Sequence, residues 1–230
     1  MLPVPVAEVV DRFLARLDRA VPGAVAGFYV VGSVALGGFR AGRSDIDFVA
    51  TLDRPLMPAD LSALRSAHRW SWTGSVTWWT LAHRGIAVRG LPPGQMDIHL
   101  DDAGLRAWTA ANLASYWRPW AAAVAGGGPR AWRVRLTHLH ARRLAAWGVL
   151  GTARMHATIR YGTVISKEQA GEYALDVFDA DWHPVIRDAL AYWRGLPPLG
   201  RTSRVLRAET AAFVSHVIDV AGSTAAPDRS

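Results

Sequence analysis

Two carboxylates one residue apart, Asp45 and Asp47, follow a Gly32-Ser33 pair and form the most chemically informative pattern in the sequence. In an extended chain alternate side chains point to the same face, so these carboxylates are expected to be neighbours. Neighbouring carboxylates repel unless a cation lies between them, and Mg²⁺ binds one or two carboxylates together with substrate phosphates. Glycine and serine let the backbone approach a phosphate closely. The pattern therefore predicts a site for a metal-bound nucleoside triphosphate; the alternative is a polar strand end with solvated or capping aspartates.

Apolar runs on both sides predict the elements that position this site. Residues 28–31 lead into the glycine and residues 48–50 follow the second aspartate. This predicts a strand, a Gly-Ser turn, a short helical or looped connection and a second strand. The second strand is expected to run from about Ile46 to Leu52 and to carry both carboxylates. Apolar positions at helical spacing over residues 4–21 predict a preceding helix.

Further short elements are predicted before residue 102. A helix is expected near Asp60 to His68, with Asp60 as its cap. A second helix at residues 77–83 is expected to stop at Gly85. Residues 86–88 and 96–100 read as short strands, which would complete a small sheet.

The pattern changes after about residue 102, where strands stop and Ala-, Leu- and Trp-rich segments with helical periodicity follow. Helices are predicted near 103–124, 129–161, 166–178, 182–194 and 202–221. The sequence therefore predicts an α+β fold, with an N-terminal domain at 1–102 that contains a small mixed sheet, an all-α bundle at 103–222 and a disordered tail at 223–230. The tryptophans of the helical part are interpreted as core residues rather than as a base-stacking surface.

Composition narrows the classes of function. The chain has 230 residues, half of them hydrophobic, and no cysteine, which excludes disulfides and thiolate metal sites. No apolar run approaches the length of a membrane span and no signal peptide opens the chain, so a cytoplasmic location without a membrane partner is expected. The formal charge is +7, but Lys167 is the only lysine among 26 basic residues. Arginine spread over a surface does not make a groove, so nucleic acid is not the expected partner.

At Gly32-Ser33 and Ser44-Asp45-Ile46-Asp47 the chain resembles the nucleotidyltransferase superfamily. The Ser-Asp-Ile-Asp form is most similar to the small-molecule branch, the aminoglycoside (3″) adenylyltransferases. The resemblance implies a polymerase-beta-like catalytic domain, ATP as co-substrate and Mg²⁺ at Asp45 and Asp47. It also implies nucleotide contacts at Gly32, Ser33 and Ser44, and transfer of AMP to a hydroxyl of a small molecule.

A second block, in the helical part, carries the same resemblance more specifically. Leu150 and Arg154 on a predicted buried helix, followed by a glycine turn and a helix start at Ser166-Lys167, are similar to the C-terminal domain of these adenylyltransferases. In that family the arginine and the lysine hold the triphosphate, which implies these roles for Arg154 and Lys167. The chemistry agrees, because fixed cations stabilise a leaving pyrophosphate and a helix N-terminus favours anions. The alternative for Arg154 is a surface or structural cation.

The sequence departs from the family at the third carboxylate, which usually lies on the next strand and completes the metal site or takes the acceptor proton. That strand is expected between about residues 67 and 76, yet no Asp or Glu occurs from residue 61 to residue 96. Asp97, Asp101 and Asp102 are the candidates to replace it, and Asp97 is preferred because it lies in a predicted strand. The alternative for Asp97 is an ordinary polar position at a strand end.

A second departure concerns the acceptor. From residue 103 to residue 167 the chain has no Asp or Glu, whereas a polycationic aminoglycoside needs carboxylates. We therefore expect an adenylyltransferase that acts on an aminoglycoside- or aminocyclitol-like antibiotic or on a less cationic acceptor. The alternative is a catalytically impaired nucleotide-binding protein of the same fold. A nucleic-acid nucleotidyltransferase is a third hypothesis, which would require a continuous basic groove.

Overall fold

The computed structural model of the chain describes residues 2–67, 74–126 and 138–224. The chain divides into two compact units, Met1–Leu100 and Asp101–Ser230. The first unit holds a three-stranded sheet with helices, and the described elements of the second unit are all helical. The α+β class predicted from the sequence is therefore confirmed.

The first unit is built around a central strand, β1. In chain order its elements are α1 (Val4–Ala20), β1 (Val25–Val30), α2 (Gly32–Ala35), β2 (Phe48–Leu52), α3 (Pro58–Ala67), α4 (Ser75–Arg84) and β3 (Ile86–Arg89). β2 and β3 lie on the two sides of β1, and both pairings are antiparallel. The described strands thus form an antiparallel sheet, which corrects the mixed sheet expected from the sequence.

One face of this sheet packs against α1, whose buried positions recur at helical spacing. These positions are Val6, Val10, Leu14 and Leu17. They share one core cluster with Phe28 of β1, and Phe48 of β2 packs against the same cluster. The Phe28 and Phe48 rings stack with centroids 4.8 Å apart, a contact worth about 0.5–1.5 kcal/mol beyond its buried area. The aromatic pair fixes β2 against β1 at the point where the chain has just passed the two aspartates.

The predicted strand at residues 96–100 does not form. A 3₁₀ turn at Pro93–Gln95 precedes this segment, and no strand pairing involves it in the described part of the chain. Met96 and Ile98 instead pack against a second core cluster on the other face of the sheet, which includes Tyr29 and Val49. The apolar alternation that suggested a strand therefore reflects packing onto the sheet without a partner strand.

The second unit is organised around its longest helix. Its helices are α5 (Asp102–Asn112), α6 (Arg118–Gly126), α7 (His138–Tyr161), α8 (Lys167–Val177), α9 (His183–Arg194) and α10 (Ser203–Thr224), with a π-helical turn at Leu113–Trp117 and a 3₁₀ turn at Ala180–Trp182. α7 packs against α8, α9 and α10, and the four share one core cluster. No helix among the described residues is both long and apolar enough to cross a bilayer.

Most helix bounds agree with the sequence prediction within a few residues. The helix predicted at 103–124 is continuous from α5 through the π turn into α6, and those predicted at 166–178, 182–194 and 202–221 correspond to α8, α9 and α10. Of the helix predicted at 129–161, residues 138–161 are helical. Residues 68–73, where a strand with the third carboxylate is expected, and residues 127–137 and 225–230 lie outside the described residues.

Candidate functional site

β1 is followed by a sharp turn at Gly32, and the Asp47 carboxylate packs directly against this turn. Gly32 has φ +59°, in the left-handed region that glycine adopts without strain. A Cβ atom on residue 32 would lie 2.7 Å from the Asp47 Cγ atom, far inside van der Waals contact. The carboxylate therefore occupies the space that any side chain at position 32 would need. The glycine turn and the second aspartate form one close-packed unit.

Backbone hydrogen bonding continues past the strands as far as Asp47. The Val31 N–H donates to the Asp47 carbonyl at 2.9 Å, one step beyond the last paired residues of β1 and β2. β2 itself begins at Phe48, so Asp45 and Asp47 precede the strand, which corrects the prediction that the strand carries them. The reason is that the chain turns away from the sheet at Gly32 and leaves no strand beside the first aspartate.

The two carboxylates nevertheless share the solvent side of the chain. Asp45 and Asp47 are exposed, whereas Ile46 between them is half-buried and packs against the core of the first unit. Two exposed oxygen donors one residue apart suit a hard divalent cation that takes its other ligands from water and phosphate.

The loop between the turn and the aspartates is held by its own hydrogen bonds. The Ser33 hydroxyl donates to the Asp45 carbonyl at 3.3 Å. The Arg40 N–H donates to the Ser44 hydroxyl at 3.0 Å, and the Ser44 N–H donates to the Arg40 carbonyl at 2.9 Å. These bonds close the loop and tie the turn to the first aspartate. The structure thus brings together the predicted residues Gly32, Ser33, Ser44, Asp45 and Asp47.

Asp97, the preferred candidate for the third carboxylate, is exposed between two anchored neighbours, Met96 and Ile98. Within residues 2–67, 74–126 and 138–224, no three His, Asp or Glu side chains form a group that could hold a metal ion. Asp97 is therefore not part of such a group with Asp45 and Asp47, and its role stays a prediction. A pair of carboxylates fits Mg²⁺ bound partly by substrate phosphates rather than by an all-protein cage.

In the second unit Lys167 is the first residue of α8 and lies within a complete capping box formed by Ser166 and Gln169. The Ser166 hydroxyl accepts a hydrogen bond from the Gln169 N–H at 3.3 Å, and the Gln169 side-chain oxygen accepts one from the Ser166 N–H at 2.9 Å. The pair satisfies backbone donors that a helix start leaves open, and removing such a cap costs about 1 kcal/mol. The helix start predicted at Ser166 is confirmed, and Lys167 is held in a well-defined first turn.

The Lys167 ammonium lies over two indole rings. Its Nζ atom is 5.0 Å from the ring centre of Trp147 on α7 and 4.6 Å from that of Trp193 on α9. Both distances are within the range of cation–π attraction. Arg154 is half-buried and lies seven residues after Trp147 on α7, so the two share one side of that helix.

The connection from α7 to α8 is fixed by three groups. Gly162, with φ +69°, ends α7. The Thr158 hydroxyl donates to the Thr163 carbonyl at 3.0 Å across this turn. The Arg106 guanidinium donates to the Ile159 carbonyl. A Cβ on residue 162 would lie 2.7 Å from the Arg106 Nη2 atom. The turn therefore has little freedom, and the helix with the predicted arginine is joined firmly to the helix with the predicted lysine.

A neutral hydrogen-bonded pair also links α7 to α8. His156 is buried, and its Nδ1 atom is 2.6 Å from the Tyr173 hydroxyl. Burial lowers the pKa of His156, and the positive charges of Arg160 and His216 act in the same direction. Burial likewise raises the pKa of Tyr173. The pair therefore joins the two helices in its uncharged form.

The aromatic partners of Lys167 are the functional candidates that sequence reasoning missed. It assigns both tryptophans to the core, and Trp193 is buried, whereas Trp147 is 45% exposed. The seven-residue spacing between Trp147 and Arg154 is a signal that could have placed Trp147 on the same side of α7. No sequence signal indicates Trp193, because its contact with Lys167 depends on how α9 packs.

Comparisons with known proteins match both units of the chain. Residues 10–69 match the model of the nucleotidyltransferase domain, and residues 136–219 match that of the C-terminal domain of aminoglycoside adenylyltransferase. Among solved structures, the chain is similar to spectinomycin adenyltransferase AAD(9) from Enterococcus faecialis, determined with ATP and spectinomycin. The TM-score is 0.66 at 11% identity, over 93% of this chain and 99% of that chain, a likeness that concerns the fold. No curated protein matches the chain significantly.

The two family matches occur in the order catalytic domain, then helical domain. The first covers the glycine turn with its two aspartates, and the second covers α7, α8 and the turn between them. The structural similarity spans both units. The chain therefore resembles the aminoglycoside adenylyltransferases in fold and in the order of its domains, a nucleotidyltransferase domain followed by an adenylyltransferase C-terminal domain.

Proposed function

We propose that the protein transfers AMP from ATP to a hydroxyl group of a small molecule. The observation that carries this proposal is the contact between the Gly32 turn and the Asp47 carboxylate, with Ser33 bonded to the Asp45 carbonyl. It sets two exposed carboxylates beside a turn whose small residues leave the backbone open to a phosphate. The family matches support the same class of reaction.

In this proposal Asp45 and Asp47 bind Mg²⁺ together with oxygens of the triphosphate. The bound ion would neutralise negative charge on the phosphates. The chain contributes prior positioning, because Ile46 is anchored in the core and Ser33 is bonded to the Asp45 carbonyl. Both carboxylates are thus held on the solvent side before a ligand arrives, which lowers the entropy cost of binding.

We assign Arg154 and Lys167 to the triphosphate. Negative charge develops on pyrophosphate as its bond to the α-phosphorus breaks, and fixed cations stabilise that charge. Lys167 also begins an 11-residue helix, whose N-terminus favours anions. The fixed turn at Gly162 supports this assignment, because it limits how far the two cations can move relative to each other.

The reaction has one bond-forming and one bond-breaking event. The acceptor oxygen attacks the α-phosphorus in line, a P–O bond forms, and the bond to the leaving pyrophosphate breaks. The acceptor hydroxyl must lose its proton, and Asp97 is our candidate for the carboxylate that accepts it. The anchoring of Met96 and Ile98 on the sheet keeps Asp97 at the surface of the first unit, as such a role requires.

The proposed acceptor carries few positive charges. No acidic residue occurs from residue 103 to residue 167, and Glu168 and Glu172, which follow, bind Arg194 at 2.8 and 2.9 Å. Carboxylates for a polycation are therefore missing from this stretch or already paired. Spectinomycin in the similar solved structure supports an antibiotic-like acceptor. Since the proposed reaction consumes ATP, we place it in the cytoplasm.

A nucleotide-binding protein without turnover is the second candidate. It is favoured by the finding that the described residues supply two carboxylates at the glycine turn and no third member of a metal-binding group. Such a protein would bind ATP through the same residues. It would release no pyrophosphate.

The test is an assay of pyrophosphate release with ATP, Mg²⁺ and a panel of acceptors that ranges from streptomycin through spectinomycin to neutral polyols. We expect turnover with weakly charged acceptors and poor turnover with streptomycin. The double variant Asp45→Asn with Asp47→Asn should lose Mg²⁺-dependent ATP binding and all turnover, whereas the exposed Asp53→Asn at the far end of β2 should keep both. Efficient turnover of streptomycin would contradict the acceptor assignment. Binding of ATP with no release of pyrophosphate on any acceptor would favour the second candidate.

A further inference from the structure

The last turn of α7 is closed by other groups of the protein. A helix leaves the carbonyl groups of its last four residues without partners inside the helix. In α7 one of them, the Ile159 carbonyl, accepts a hydrogen bond from the Arg106 guanidinium of α5. The Gly162 N–H donates to another, the Thr158 carbonyl, at 2.8 Å. The end of α7 is therefore tied to the first helix of the second unit.

The Arg106 guanidinium lies directly on the backbone of Gly162. A Cβ on residue 162 would lie 2.7 Å from the Arg106 Nη2 atom and 3.2 Å from its Cζ atom. Within the part of the chain that the structure describes, Arg106 has no carboxylate partner. Its charge instead meets the carbonyl end of α7, where the helix dipole favours a cation. The arginine therefore serves this turn rather than an ion pair.

Thr158 fixes the same turn from within α7. Its side chain is buried, and its hydroxyl donates to the Arg154 carbonyl at 3.1 Å and to the Thr163 carbonyl at 3.0 Å. A hydroxyl group has one proton, so the two carbonyls share it. Arg154 lies one helical turn before Thr158, and Thr163 directly follows the glycine. One side chain therefore joins the backbone of the predicted triphosphate arginine to the segment that leads into α8.

We propose that Arg106 and Thr158 are positioning residues, which fix Arg154 and Lys167 at a separation that lets both cations meet one chain of phosphates. This inference rests on the proposed function, which assigns the two cations to the triphosphate. It concerns the second unit alone, because all four residues lie within it. A ligand with three phosphates can meet two cations at once, whereas a single phosphate group meets one of them. Only the affinity for the longer ligand therefore depends on how the cations are spaced.

Two other contacts in the second unit supply matched controls. The Arg207 guanidinium of α10 donates to the Val124 carbonyl in the last turn of α6 at 3.1 Å, the same kind of contact at another helix end. The buried Thr210 hydroxyl donates to the Leu206 carbonyl at 2.6 Å within α10. Neither contact includes a residue of the turn between α7 and α8. Removing either side chain therefore has the structural cost without the proposed effect on the spacing of the cations.

The test measures binding of tripolyphosphate and of inorganic phosphate to the full-length protein by isothermal titration. Divalent metal is left out, so that no ion links the phosphates to Asp45 and Asp47. Thr158→Val and Arg106→Ala should each weaken tripolyphosphate binding at least about fivefold. Lys167→Ala, which removes a whole charged contact, should weaken it about tenfold or more. Affinity for inorganic phosphate should stay the same in Thr158→Val, because this substitution removes no charge.

The control variants separate positioning from general effects on the fold. Arg207→Ala removes one charge and one helix-end contact, as Arg106→Ala does, and should leave tripolyphosphate affinity nearly unchanged. Thr210→Val should likewise have no effect. Thr158→Ser keeps the hydroxyl that spans the turn and should restore wild-type affinity. Circular dichroism checks that each variant folds, and should Arg106→Ala unfold, the two Thr158 variants decide.

The outcomes distinguish the inference from the proposed function. If Lys167→Ala weakens tripolyphosphate binding while Thr158→Val and Arg106→Ala do not, the inference is overturned and the assignment of the cations stands. Equal weakening of phosphate and tripolyphosphate binding in Thr158→Val would overturn it as well, because spacing would then not be the cause. If Lys167→Ala leaves tripolyphosphate affinity unchanged, the assignment of Lys167 to the triphosphate fails, and the inference fails with it.

Discussion

Replacing Gly32 by alanine tests the contact on which the candidate site depends. The substitution has two separate costs. Alanine at φ +59° is strained by about 1–2 kcal/mol, and its Cβ would meet the Asp47 carboxylate at 2.7 Å from Cγ. The Asp47 Cβ atom also lies 2.9 Å from that position, so rotation of the exposed carboxylate relieves only part of the clash, and the substitution should displace the metal site as well as lower the free energy of unfolding.

Gly23 supplies a matched control at the opposite end of β1. It has φ +67°, and a Cβ there meets no atom within 4 Å. Gly23→Ala therefore carries the backbone strain without the contact with Asp47. Urea denaturation should show that Gly23→Ala loses about 1–2 kcal/mol of stability and that Gly32→Ala loses more, because the contact with Asp47 adds to the backbone strain. Mg²⁺-dependent ATP binding, measured by isothermal titration, should fall about tenfold to a hundredfold in Gly32→Ala, the loss expected for one charged contact.

The comparison between the two variants decides the interpretation. ATP affinity that is unchanged in Gly23→Ala and reduced in Gly32→Ala would assign the effect to the displaced carboxylate. Equal ATP affinity in both variants would refute the reasoning, because backbone strain alone would then explain the result. Recovery of affinity at high Mg²⁺ in Gly32→Ala would further locate the defect at the cation.

Three other perturbations give separate expectations. Lys167→Ala should weaken ATP binding about tenfold to a hundredfold and leave AMP binding nearly unchanged. If calorimetry shows that ATP and AMP binding are weakened equally, the lysine only supports the helix start. Arg201→Ala leaves the buried carboxylate of Asp188 without its cation, so the free energy of unfolding should fall by about 3 kcal/mol. Arg118→Ala, which removes an exposed ion pair, should cost only about 0–1 kcal/mol, and similar urea midpoints for the two variants would contradict this expectation. Burial lowers the pKa of His156 from 6.5, so the unfolded chain binds a proton more readily than the folded chain, and the free energy of unfolding should decrease as pH falls below about 6.5. His156→Gln should weaken this pH dependence in urea titrations. An unchanged pH dependence in the variant would show that His156 is not responsible.

Local chemistry made much of the candidate site predictable. Glycine and serine before a pair of alternating aspartates constrain the backbone and the charge within sixteen residues, and the structure brings them together through local hydrogen bonds. The capping box at Ser166 is likewise local, since its partner Gln169 lies three residues away. Where both partners of an interaction lie close in sequence, the sequence pattern is sufficient to predict the contact.

Tertiary contacts account for what the sequence did not show. The alternation at residues 96–100 satisfies a strand pattern, yet Met96 and Ile98 are used to pack on the sheet and find no partner strand. The start of β2 depends on where β1 turns away at Gly32, and the two rings beside Lys167, Trp147 and Trp193, come from different helices, α7 and α9. No property of Trp193 itself indicates that a lysine 26 positions earlier lies over its ring.

A chain with one lysine gives amine-directed chemistry a single side-chain target. The only other primary amine is at the N-terminus, so an acylating or reductive-methylating reagent would report on Lys167 through one mass increment in one peptide. While the ammonium lies over the rings of Trp147 and Trp193, these rings restrict the approach of the reagent. Labelling rates with and without ligand would therefore follow the position of one functional group over time, without any probe having to be engineered into the protein.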